Sequence, residues 1–423
     1  MADNVTAEVD TTRPLVLRGA FITDGTAPLR AATLLLEADR ITDVLSPGEP
    51  VPSGVEVLEL HGHVITPGLI DAHTHLFLST DIETEGAYEL EILKVSLPLR
   101  TLRGAAHARA MLDDGFTTVR DVCTEGAGYA DVALRDAIAQ GLCEGPRVVP
   151  SGPGIGITGG YMPFGFPPGP CRPSGCSICD SPDAARLEVR TQVAHGVSWI
   201  KVFADWPEKH PVTKKTEDLP TFTTAELTAI VDEAARRGRR VAAHATSDAG
   251  ARHAIECGAA SIEHLGPLSR ETLDRAAERG VFLVPTLSPF AEMARSAVPA
   301  RRERIKRVFD AMREAFERAV ASGVRIASGS DIGAVPHARG ALGELKLLKE
   351  FGMSAPAALR AATGEAGALL GIEGLGGIAK GKVADLCAFR AEGEGESLDL
   401  RAALTGKKPS LVVQGGKVVR NRL

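Results

Sequence analysis

The chain has 423 residues, 44% hydrophobic and 24% charged, a balance typical of a large globular protein with an ample core. A net charge of -6 without a basic block argues against nucleic-acid partners and a basic membrane-surface patch, and no apolar stretch has transmembrane length. The polar, acidic start MADNVTAEVDTTRPL is unlike a signal peptide, and seven scattered cysteines do not form a secreted disulfide framework, so a cytoplasmic location is expected.

In chain order, LVLRGAFITDG, AATLLLEADRITDVL and VEVLELHGHVITPG are short alternating runs with the pattern of strands. The next apolar run, VITPGLIDAHTHLF, places His73 and His75 on one face of a strand, because alternate residues point the same way. TTVRDV is a second strand, closed by Arg120 and Asp121, which are expected to form a bracing ion pair. RVVPSG is a third.

The loop that follows, SGPGIGITGGYMPFGFPPGPCRPSGCSICDSP, carries too much glycine and proline for helix or strand. Its length and position suggest a wall or cover for a substrate pocket. Tyr161, Phe164 and Phe166 would supply aromatic contacts there, or pin the loop down. Cys171, Cys176 and Cys179 are one ligand short of a usual structural zinc site, so packing or redox thiols compete with a metal role.

Ser181, Pro182 and Asp183 open a helix, and WIKVF then buries Lys201 between Ile200 and Val202. Thr223 and Glu226 make a capping box ahead of the next helix. VAAH ends in His244 and SIEH in His264. FLVPTL offers no ligand, a long charged helix follows, and RIASGSD ends in Asp331. His337, a few residues on, could reach a substrate, whereas His107, His195 and His253 sit on helices, in surface or packing roles.

Helical stretches between these runs give a repeated βα pattern, and hence an α/β (β/α)8 TIM barrel with functional groups at the carboxyl ends of its strands. Lys201, His244, His264 and Asp331 then fall on strands four, five, six and eight. A barrel takes ~250 residues, which leaves both chain ends for a second unit. KGKVADLCAFRA and PSLVVQGGKVVRN supply its last strands.

PGLIDAHTH, the lysine of WIKVFA, the histidines of AAHA and IEHL, and GSD together resemble the binuclear subtype of the amidohydrolase superfamily, over essentially the whole chain. FTTVRDV, GVSWIKV and GSDIG are most similar to the branch of imidazolonepropionase-like proteins and metal-dependent dipeptidases, which includes prolidase-like and ochratoxin-hydrolysing enzymes. The resemblance implies a discontinuous β-sandwich from residues 1–67 and 373–423 around a barrel at 68–372, and a homo-oligomer. It also implies two divalent ions, zinc foremost, although manganese and cobalt accept the same ligands. His73, His75 and Asp331 would hold one ion and His244 and His264 the other, with N6-carboxylysine at Lys201 bridging both.

In that scheme a water between the ions loses its proton near neutral pH and attacks, while Asp331 moves the proton to the leaving nitrogen. The expected reaction is hydrolysis of a small amide, peptide-like with a C-terminal amino acid or an N-acyl amino acid conjugate. Cyclic amides, carbamates, ureas and heteroaromatic C–N bonds are the alternative. A non-enzymatic protein on the same scaffold is a third reading, since fold alone does not fix function. Tyr161 departs from the family at a position where many relatives carry histidine after paired glycines.

Overall fold

The computed structural model describes residues 14–80, 87–161, 175–209, 213, 216–295, 299–391 and 407–423. Phe164, Phe166 and Cys171 lie outside them.

The two chain ends meet in one eight-stranded sheet. Its order runs Lys417–Asn421, Leu411–Gln414, Leu386–Arg390, His63–Pro67, Leu15–Ile22, Arg30–Glu37, Arg40–Leu45, with Glu56–Glu59 also paired to Leu15–Ile22. The junction is the antiparallel pairing of Leu386–Arg390 with His63–Pro67. One face buries Leu17, Leu34, Ile65, Leu386 and Val413 in a common core. The hydrogen bonds of this sheet trace one branched path. Leu15–Ile22 accounts for the branch: its first half pairs with Glu56–Glu59 and its last two residues with His63–Pro67, with a register shift between Leu17 and Ala20.

Parallel strands alternating with helices form most of the rest, beside an antiparallel hairpin of Asp205–Lys209 and Thr216–Pro220. Those that carry the site are β1 (Leu69–Thr74), β2 (Phe116–Asp121), β3 (Arg147–Pro150), β4 (Trp199–Phe203), β5 (Arg240–His244), β6 (Ser261–Glu263) and β7 (Phe282–Val284). β1, β2 and β3 make one sheet, and β4 to β7 a second together with Gly154–Gly156 and Cys176–Ile178. Every residue of β1, β2 and β4 is buried, as in strands covered on both faces, and this puts Lys201 inside.

A single closed ring of eight strands was expected, but these are two sheets with residues 325–332 spanning between them. That segment forms isolated bridges from Ile326 to Leu283 of β7 and from Ile332 to Thr74 of β1. Its ladder is interrupted where the Ser330 N–H and hydroxyl donate to the buried Asp71 carboxylate at 3.0 and 2.6 Å. Side-chain acceptors of this kind compete with strand pairing.

The helices start where the capping residues lie. Ser181 accepts from Ala184 N, and both halves of the Thr223–Glu226 box are present. Each cap contributes roughly 1 kcal/mol. No helix among the described residues is long and apolar enough to cross a membrane.

Candidate metal centre

His73 is the penultimate residue of β1, with a fully buried ring, and His75 follows directly after the strand. Asp331 is drawn to them by its own backbone, since its N–H donates to the His73 carbonyl at 2.8 Å. Asp331 Oδ1 then lies 3.7 Å from His73 Nε2 and 3.2 Å from His75 Nε2. Close approach here requires Gly329: a Cβ on it would sit 2.6 Å from His73 Cβ. His264, after β6, and His244, at the end of β5, complete the group, with ring centroids of His73 and His264 4.9 Å apart and those of His244 and His264 4.5 Å apart. Lys201 of β4 lines the same cleft.

Outer partners orient these rings. His73 Nδ1 pairs with Glu263 Oε2 at 2.7 Å, His75 Nδ1 with the Cys123 carbonyl at 2.9 Å, and His264 Nδ1 with Thr286 Oγ1 at 2.8 Å. Such contacts fix the tautomer and aim the other nitrogen inward. His73 Nε2 and Asp331 Oδ1 are left buried without any hydrogen-bond partner. Each would cost about 1–3 kcal/mol if it stayed unsatisfied. Ligand atoms of His73, His75 and Asp331 all lie within 4.8 Å of one another, so a cation fits the donor set and the two orphaned atoms. The cysteines form no comparable group among the described residues: Cys176 Sγ donates to the Tyr161 carbonyl, and Cys179 packs in the core.

The electrostatics favour ligand forms. Burial, reinforced by neighbouring cationic groups, pushes His73, His244 and His264 well below the ordinary imidazole value. Burial also lowers the Lys201 amine, against the pull of Glu263, Cys123 and Asp331. At His75 burial opposes the charge, but the Asp331 carboxylate 3.2 Å from Nε2 and the Glu125 charge raise the ring to about 9. A cation bound by Asp331 competes with that proton. Left-handed backbone at His264 (φ 74°), Asp331 (φ 54°), Cys123 (φ 92°), Glu125 (φ 54°) and Thr286 (φ 46°) concentrates strain around the same point.

The cleft has a volume of ≈ 310 Å³ and is lined by His75, Lys201, His244, His264, Asp331 and Tyr161, with Tyr88, Glu125, Phe203 and Trp206 among the other wall residues. Tyr161 stacks on Phe203 at 3.8 Å and meets Trp206 edge-on at 4.6 Å. His337 lies outside this wall. It stacks on His107 at 3.5 Å, its Nε2 facing the carbonyls of His75 and Leu78 at 3.3 and 3.1 Å, while His107 holds the carbonyl of Leu76. The expected Arg120–Asp121 pair is also corrected. Arg120 crosses to Glu263, and Asp121 instead accepts from Leu76 N.

Sequence reasoning missed Tyr88, Glu125, Phe203, Trp206 and Glu263. A signal existed for Glu263, a carboxylate inside the apolar run before His264. None existed for Tyr88 and Glu125, which lie on a distant helix and in an irregular turn.

Residues 64–419 match the amidohydrolase family, to which this chain therefore belongs. It is 28% identical to ochratoxinase of Aspergillus niger over 96% of this chain and 86% of that protein. It is 24% identical to imidazolonepropionase of Saccharopolyspora erythraea over 64% of this chain and 66% of that protein. Among solved structures, an Xaa-Pro dipeptidase with bound methionine in the active site is similar at a TM-score of 0.83 and 27% identity, covering 96% of this chain and 100% of that one. The protein is a hydrolase acting on carbon–nitrogen bonds of the amide type.

Proposed function

We propose that the protein is a binuclear metal-dependent amidase acting on a small amide, peptide-like with a C-terminal amino acid or an N-acyl amino acid conjugate. The observation that carries this reading is the pair of orphaned buried atoms, His73 Nε2 and Asp331 Oδ1, 3.7 Å apart, the second of them on a residue that lines the cleft. His73, His75 and Asp331 would hold one divalent ion, with zinc the first candidate, and His244 and His264 a second. Lys201, as a carbamate, would contact both. Burial lowers its amine towards the neutral form that reacts with carbon dioxide, which supports this role. The scaffold reads as a (β/α)8 barrel in which residues 325–332 stand in for the eighth strand.

When bound, the ions supply Lewis acidity and a water acidic enough to ionise near neutral pH. The Asp331 carboxylate takes the proton at Oδ2, which lies 3.7 Å from His264 Nδ1, and returns it to the leaving nitrogen. Tyr161, Phe203 and Trp206 present ring surfaces that suit a flat apolar group on the substrate. The ochratoxinase and dipeptidase relatives support a conjugate or dipeptide of this kind. A panel of N-acyl amino acids, dipeptides and lactams, run with metal content measured alongside, tests the reading. Cleavage of the first two classes by metal-loaded protein is expected, and cleavage of lactams alone would overturn the substrate assignment.

A further inference from the structure

Glu125 is 2% exposed and lies in the turn after β2, at a left-handed φ of 54°. The turn is locked from outside: the buried Arg100 guanidinium donates to the carbonyls of Phe77, Thr124 and Glu125 at 2.9, 3.1 and 2.7 Å. One carboxylate oxygen, Oε2, takes the hydroxyls of both Tyr88 and Tyr161, the latter at 2.7 Å. The other, Oε1, lies 3.5 Å from His75 Nδ1. His75 Nε2, on the opposite side of the same ring, faces Asp331. A Cβ at Gly175 would sit 2.6 Å from the Tyr88 hydroxyl and 3.2 Å from Glu125 Oε2, so only glycine fits beside the cluster.

We propose that Glu125 is a positioning residue for the metal centre: its charge backs His75 from behind, and Tyr88 and Tyr161 hold that carboxylate in place. The proposal rests on the binuclear reading above. A carboxylate behind a metal-binding imidazole strengthens the ring as a donor, and loss of such outer partners typically weakens metal binding by about 10–100-fold. Here the hydrogen bond of His75 Nδ1 goes to the Cys123 carbonyl at 2.9 Å, and Glu125, held by two tyrosines, adds its charge behind that bond at 3.5 Å. Tyr161, whose ring is clamped by Phe203 and Trp206, thus acts on the metal ligand through Glu125 as well as forming part of the wall. The position that departs from the family would tune the metal centre from the substrate side.

The test is retention of zinc by purified holoenzyme against a graded chelator. Glu125→Gln keeps the shape and removes the charge, and it should release one of two zinc ions at about 10–100-fold lower chelator strength, with kcat reduced more than KM changes. Tyr88→Phe with Tyr161→Phe keeps both rings and the carboxylate, and should shift the same ion in the same direction by a smaller factor. A merely structural role would lower the melting temperature and leave zinc retention unchanged. Wild-type retention in Glu125→Gln, or in the double tyrosine variant should Glu125→Gln not fold, overturns the proposal. Wild-type protein that binds no zinc from the outset overturns the binuclear reading itself.

Discussion

Arg120 of β2 reaches Glu263 of β6 at 2.7 Å, with both side chains fully buried. The contact spans the two parallel sheets, and Glu263 passes the connection on to His73 Nδ1 at 2.7 Å. Arg120 is further held by the Ala72 carbonyl at 2.6 Å and by the face of Trp199, 4.5 Å from the ring centre. One ion pair therefore joins the scaffold to His73, the first of the proposed metal ligands.

Arg120→Met strands a buried carboxylate, and such a break typically costs about 3–5 kcal/mol. Denaturant unfolding should show that loss. Pairing Arg120→Met with Glu263→Leu removes both charges and should recover much of the stability. It should not recover metal binding, because His73 has lost its acceptor. Full metal retention in the double variant would show that Glu263 does not orient His73.

His337 is the second structural element to test. Its ring holds the carbonyls of His75 and Leu78 from outside the cleft, so His337→Leu should cost roughly 1–3 kcal/mol, the penalty for buried acceptors left unsatisfied. Relative rates across a substrate panel should stay as in wild type. A changed substrate order would instead mean that His337 touches substrate.

A pH dependence follows from Glu344. Burial raises it from 4.5 to about 8, although it accepts from Leu287 N and Ser288 N at 2.8 and 2.9 Å. Between those values the folded chain keeps a proton that the unfolded chain has released. Its contribution therefore falls as pH rises from about 5 to about 8 and is flat above that window. Urea unfolding of wild type and Glu344→Gln across the window checks the sign. The wild type should lose stability relative to the variant as pH rises, and parallel curves would remove Glu344 from the account.

Much of the site was legible because strand geometry is periodic. His73 and His75 follow from alternation, Lys201 lies inside an apolar run, and His244, His264 and Asp331 each close one. The remainder depended on contacts between segments far apart in sequence. Glu125 and Tyr88 meet through a left-handed turn and a separate helix, and neither has a periodic signature. In the eighth segment, Ser330 bonds to Asp71 in place of the ladder, so a run that reads as a strand forms only bridges. His337 lies near the mouth in sequence but is turned beneath it by stacking on His107.

Asp331→Asn separates holding a metal from moving a proton. Asparagine keeps an oxygen for coordination but cannot shuttle the proton. Metal content should stay largely intact while turnover falls by about 10²-fold or more. Near-normal turnover at confirmed occupancy would assign the proton transfer to another group.

The central claim is the binuclear centre, and the most direct measurement is metal stoichiometry of wild type and Lys201→Ala after purification with zinc and bicarbonate. Wild type should carry two ions per chain. Lys201→Ala should lose most of them, with part of the activity restored by short carboxylic acids that stand in for the carbamate. Wild-type protein without metal under these conditions, or Lys201→Ala with two ions and full turnover, would contradict the account.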